Sequence, residues 1–202
     1  MPNFNHPLMD NNISKNDVHE IIKFLKKNKK RIFTQSKKVE DFENKWSKWL
    51  GVKYSVFVNS GSSANLLTLL IIKILYGTGE IIVPTLTWIS DIASVIQNNF
   101  KPVFVDINPE NLCMDENHIL KSINNKTKAV FITHAQGFNG LSENLLNVLK
   151  KKNIILLEDV CESHGATFKS KKLGTFGLIS NFSFYYAHHL STIEGGMICT
   201  NN

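Results

Sequence analysis

His188 is one of seven histidines, a residue type able to move a proton; His189 follows it, and Glu194-Gly195-Gly196 lies just beyond. An imidazole titrates near neutrality, so it can act first as base and then as acid, but it cannot form a stable imine with an aldehyde as a lysine can. Adjacent histidines also occur in solvated turns. No carboxylate or cysteine sits at ligand spacing from this pair, which argues against a metal. Asp159 stands directly behind the apolar run 154–157, in Glu158-Asp159-Val160-Cys161-Glu162-Ser163-His164-Gly165-Ala166. A carboxylate there is either costly or useful, and capping of a neighbouring element accounts for it equally well. Asn59-Ser60-Gly61-Ser62-Ser63 is a small, hydroxyl-rich turn opening a helical run. Its free amides and the positive end of the helix dipole suit a phosphate, though an ordinary serine N-cap uses the same residues. Trp88, after Pro84-Thr85-Leu86-Thr87, could lie flat on a heteroaromatic ring or anchor a core.

These residues need a scaffold that brings distant segments to one place. Apolar runs at 55–58, 80–83, 102–105, 129–133, 154–157 and 181–184 read as strands, with a last strand at 197–200. Segments 64–74, 88–97, 115–122 and 141–151 read as helices between them, and 16–30 and 39–50 as helices before them. Strand–helix alternation predicts one α/β domain, a mostly parallel sheet wrapped by helices. Ligands of such sheets sit at the carboxyl ends of the strands, where the residues named above fall.

Bulk properties narrow the class. The composition is globular, with 43% hydrophobic and 20% charged residues among 202. The net charge of +6 comes almost wholly from lysine, Arg31 being the only arginine. The lysines are scattered over helix faces, without the arginine-rich or aromatic-interleaved patch of a nucleic-acid binder. The apolar stretch 66–76 is too short to span a bilayer, and residues 1–17 carry no apolar signal core, so a cytoplasmic protein without a membrane partner is expected. Cys113, Cys161 and Cys199 lie far apart and offer neither a disulfide framework nor a zinc knuckle.

In order and spacing from residue 39 to 200, these motifs resemble the DegT/DnrJ/EryC1/StrS sugar aminotransferase family. The resemblance implies a three-layer αβα large domain of the aspartate aminotransferase type I fold, binding pyridoxal 5'-phosphate or its pyridoxamine form. It places Gly61, Ser62 and Ser183 at the cofactor phosphate and Trp88 on the face of the pyridine ring. Asp159 then pairs with the protonated ring nitrogen, and Glu162 takes the place of the usual glutamine near the ring hydroxyl. His188 replaces the family's cofactor-bonding lysine, so the cofactor is held non-covalently and His188 is the catalytic base.

That substitution points away from transamination and toward the branch that removes a hydroxyl. The resemblance implies C3 dehydration of a nucleotide-linked 4-keto-6-deoxy sugar with glutamate as amino donor, in deoxysugar and lipopolysaccharide O-antigen synthesis. Alternatives are an aminotransferase-like enzyme, an iron–sulfur E1-type CDP-sugar dehydrase, for which three scattered cysteines supply no cluster set, and an inactive cofactor-binding fragment. The expected layout is an N-terminal helical segment over 1–50 and a cofactor-binding large domain over 51–202. The family's C-terminal small domain is expected to be absent, and a homodimer is implied for the full-length family.

Overall fold

The computed structural model describes residues 13–27, 29 and 32–202. Arg31, Lys30 at the end of the first expected helix, and the start of the 1–17 stretch lie outside the described residues.

Two helices, α1 (Lys15–Lys27) and α2 (Lys37–Leu50), precede the alternating part of the chain. There follow β1 (Tyr54–Val58), α3 (Gly61–Tyr76), β2 (Glu80–Pro84), α4 (Ile89–Gln97), β3 (Lys101–Val105), α5 (Glu116–Ser122) and β4 (Thr127–Thr133). After a 3-10 turn at Ala135–Gly137 come α6 (Glu143–Lys151), β5 (Ile155–Asp159), a small hairpin of β6 (Thr167–Phe168) and β7 (Lys171–Lys172), then β8 (Ile179–Ser183) and β9 (Gly196–Thr200). The hairpin and the 3-10 turn were not legible in the apolar pattern; both are too short to bury a periodic face.

Seven strands form one sheet in the order β1-β9-β8-β5-β4-β2-β3. The pairings among β8, β5, β4, β2 and β3 are parallel, whereas β9 runs antiparallel to both its neighbours. The reversal has a local cause. Parallel neighbours need a long crossover, usually helical, and the connection 184–195 forms no helix, so the chain doubles back.

Alternation along each central strand builds two cores. Ile81, Val83, Ala129, Phe131 and Leu157 pack with Ala64, Leu69 and Ile72 of α3 and Val95 of α4. Ile82, Val130, Ile132 and Leu156 face the other way, against Trp46 and Leu50 of α2, Ile119 of α5, and Leu145 and Leu149 of α6. The result is a three-layer αβα domain. Helix α1 contributes nothing to either core: Val18, Ile21, Ile22 and Leu25 form its apolar stripe, and all four are exposed. Among the described residues no helix is long and apolar enough to cross a membrane.

Candidate active site

The strand ends converge as sheet geometry requires. Ser60 caps α3, its Oγ accepting the Ser63 amide at 3.1 Å, which leaves the first amides of the helix to serve a ligand. Gly61 is tightly enclosed: a Cβ there would lie 2.7 Å from Cβ of Ser183 and 3.1 Å from Sγ of Cys161. Any side chain at 61 would fill the space beside Ser183, so the turn after β1 and the end of β8 form one cradle. Gly196 makes that approach possible, since a Cβ on it would collide with the Ser60 carbonyl. Ser62 is exposed at the rim.

The floor is polar and deeply buried. Asp159 is 4% exposed at the end of β5; its Oδ1 accepts the Cys161 amide at 2.8 Å and its Oδ2 accepts from Asn65 Nδ2 at 3.1 Å. The same Asn65 nitrogen donates to Asp91 Oδ1 at 2.5 Å. Thr87 and Thr133 flank Asp91 Oδ2, while Asn181 donates to Asn65 Oδ1 at 2.8 Å. None of Asn65, Thr87, Asp91, Thr133 or Asn181 was picked out from sequence. A signal existed for the first: Asn65 and Thr68 are polar positions three apart on the buried face of an otherwise apolar helix, and buried polar groups need partners.

His188 sits in the turn after β8, half-buried. Burial holds its pKa below the usual histidine value, against the pull of Glu162 and Asp159, so the ring is neutral and ready to accept a proton. Glu162 accepts from Gln136 Nε2 at 3.1 Å and from the Gln136 amide at 3.3 Å. Trp88, 68% exposed, precedes α4 and leaves its ring free at the mouth.

Behind His188 lies His164, packed among Trp46, Phe182 and Phe184 with ring centroids 5.6, 5.7 and 5.7 Å away. Neither of its ring nitrogens makes a hydrogen bond of good geometry. Burial, then the neighbouring His189 and His188, lowers its pKa to about 3. The unfolded chain binds this proton near pH 6.5 while the folded chain refuses it, so stability falls as pH drops from about 6.5 toward 3. The whole difference is worth on the order of 5 kcal/mol. Urea unfolding across that range is expected to show a shallower acid decline in His164→Phe than in the wild type. Parallel declines would mean that His164 is not the group responsible.

Glu158 points to the other face. Its Oε1 accepts the amides of Phe176 and Gly177 at 2.9 and 2.6 Å, and its Oε2 accepts the Gly174 amide at 2.8 Å. His134 Nδ1 accepts the Gly140 amide at 3.2 Å, which leaves Nε2 to donate to Glu158 Oε2 at 3.1 Å. Of the two consecutive carboxylates, one holds the loop before β8 and the other faces the cradle.

The enclosed Gly61 turn and half-buried His188 lie above a buried carboxylate, Asp159, that has no ion-pair partner among the described residues. A flat, anionic phosphate ester with a protonated ring nitrogen fits this donor set, whereas among the described residues no group of three or more His, Cys, Asp or Glu could hold a metal. The fold is that of the large domain of pyridoxal-phosphate-dependent transferases. A solved GDP-4-keto-6-deoxymannose-3-dehydratase with a trapped PLP-glutamate geminal diamine superposes with a TM-score of 0.90 at 34% identity, over 98% of this chain and 52% of that one. The chain belongs to the DegT/DnrJ/EryC1/StrS aminotransferase family, whose pattern matches residues 11–202. The GDP-4-keto-6-deoxy-D-mannose 3-dehydratase of Escherichia coli O55:H7 is 37% identical over 180 residues, 85% of this chain and 46% of the relative. A GDP-perosamine synthase of Escherichia coli O157:H7 is 38% identical over 164 residues, 81% of this chain and 45% of the relative. The chain thus spans about half the length of the curated relatives it matches.

Proposed function

We propose that this chain carries the cofactor half of a sugar 3-dehydratase acting on GDP-4-keto-6-deoxymannose or a close nucleotide-linked analogue, with glutamate as reductant. The observation that carries the reading is His188: a neutral, half-buried base stands where an imine-forming lysine would make an aminotransferase. The perosamine synthase likeness by itself supports transamination, and the histidine decides between the two.

Pyridoxal phosphate, when bound, supplies an electron-poor ring that takes up the electron pair left by a departing proton. In this reading the amides of Gly61 and Ser62 and the Ser183 hydroxyl hold its phosphate, and Trp88 covers one ring face. Asp159 keeps the ring nitrogen protonated; Glu162 and its partner Gln136 border the ring hydroxyl. His188 removes a proton and, once protonated, returns it to the leaving hydroxyl. Having no primary amine, it could not displace a product amine from the cofactor, as a lysine would to complete a transamination. Over the cycle the sugar loses one oxygen and gains two electrons, glutamate is oxidised to 2-oxoglutarate, and ammonia is released. Residues 51–202 would form the cofactor-binding domain and residues 1–50 its helical extension, in a cytoplasmic homodimer.

The test is mass analysis of GDP-4-keto-6-deoxymannose after incubation with the protein, pyridoxal phosphate and glutamate. Loss of one oxygen with ammonia release supports the proposal; an amino sugar refutes it. The pH profile adds a second check. Activity requires neutral His188, whose lowered pKa carries the base form below the usual histidine range. Glu162 raises that pKa, so in Glu162→Gln the acid limb of kcat/KM is expected to move to lower pH. An unmoved limb would detach Glu162 from His188.

A further inference from the structure

Asp91, 1% exposed in the first turn of α4, has no part in the chemistry described above. Its surroundings contain more hydroxyl contacts than hydroxyl hydrogens. Thr87 Oγ1 lies 2.5 Å and Thr133 Oγ1 2.8 Å from Asp91 Oδ2, and the two hydroxyls are 2.8 Å from each other. Each of these three contacts takes one hydrogen if all are hydrogen bonds, and two hydroxyls supply two. A proton on Asp91 supplies the third, giving a ring in which every oxygen donates once.

Asp159 has the opposite company. Two of its partners, the Cys161 amide and Asn65 Nδ2, can only donate. Asn65 turns its Nδ2 toward the two carboxyl groups while its Oδ1 accepts from Asn181 Nδ2, and Asn181 Oδ1 in turn accepts the Thr68 hydroxyl at 2.9 Å. Donors alone favour an ionised carboxylate, and hydroxyls that can rotate accommodate a protonated one. One amide nitrogen touches both carboxyl groups, and like charges so placed do not both ionise. The titratable groups that face Asp91 are Asp159 and, beyond it, Cys161. Burial first, then the Asp159 charge, pushes Asp91 well above the usual carboxylate range.

We propose that Asp91 is a protonated positioning residue: it keeps the one proton of the pair and, through Asn65, leaves Asp159 as the single, oriented negative charge under the cradle. The inference rests on the role given to Asp159 above. It assigns a task to a carboxylic acid that is neutral by construction, and it explains why two aspartates share one asparagine.

The experiment is 13C NMR of the cofactor-free protein labelled at its aspartate carboxyls, between about pH 5 and 8. One carboxyl resonance is expected to stay protonated throughout and to vanish in Asp91→Asn, while the resonance lost in Asp159→Asn stays ionised. No protonated carboxyl, or one that survives Asp91→Asn, overturns the proposal. Pyridoxal phosphate affinity, read by absorbance titration, adds the positioning test. Asparagine can replace a carboxylic acid, so Asp91→Asn is expected within about threefold of wild type, whereas Asp91→Ala and Asn65→Leu weaken binding about tenfold or more. Equal losses in Asp91→Asn and Asp91→Ala would show that a charge was needed and overturn it as well. Failure of the wild type to bind the cofactor would instead remove the proposed function, with the carboxyl resonances still deciding where the proton lies.

Discussion

Replacing His188 with alanine is expected to lower the dehydration rate by about 10²–10⁴-fold, the usual contribution of a positioned acid–base group. Pyridoxal phosphate should still bind, because the proposed cofactor contacts at Gly61, Ser62, Asp159 and Ser183 lie on other elements. The contrast between lost turnover and retained binding is the signature of a proton carrier, as opposed to a residue that merely shapes the pocket. It is measured by following ammonia release in parallel with an absorbance titration of the cofactor. Turnover within about tenfold of wild type would take His188 out of the mechanism. Loss of binding together with turnover would make it structural.

The second large effect concerns the fold. Glu158→Ala would leave the amides of Gly174, Phe176 and Gly177 and the His134 ring without their acceptor, Gly174 and His134 buried and the other two half-buried. Removing the buried carboxylate from such a set costs about 3–5 kcal/mol. That is a large part of the total stability of an ordinary domain. Urea unfolding at neutral pH is expected to show a loss of this order. Glu158→Gln should cost less, since it retains one acceptor oxygen, and its new amide hydrogens would oppose the remaining donors. A loss below about 1 kcal/mol in the alanine variant would mean that water or a loop shift replaces the carboxylate.

Much of the architecture was legible because each central strand alternates cleanly between two apolar faces. In β4, Ala129 and Phe131 serve one core and Val130 and Ile132 the other, and such a run cannot be an amphipathic surface element. The direction of β9 was not legible. Its apolar pattern is the same either way, and only the absence of a crossover helix over 184–195 decides it. The chosen site residues share an address, the carboxyl end of a strand or the turn beyond it, which topology alone supplies. Asn65, Asp91 and Asn181 escaped notice for a different reason. Each is a polar residue inside an element, and most of its partners lie far off in the chain, so a linear reading sees only an interruption of the apolar pattern. Glu158 and Asp159 show the converse. They were expected behind the strand, with a role for Asp159 alone; both lie in β5, and the pleat sends one to the loop before β8 and the other to the cradle.

The placement of β9 also bears on the order of assembly. Among the described residues β1 precedes every other strand, yet its only partner in the sheet is β9, with Tyr54 opposite Thr200 and Val58 opposite Gly196. Loop closure over such a separation is slow, so β1 remains an unpaired edge until the chain has been synthesised through β9. The serine turn that follows β1 is held by Gly196 and Ser183, and it can take its final form only at that moment. Docking of β1 onto β9 therefore waits for the synthesis of β9, and a nascent chain halted before residue 196 would carry every parallel strand and still lack the cradle between Gly61 and Ser183.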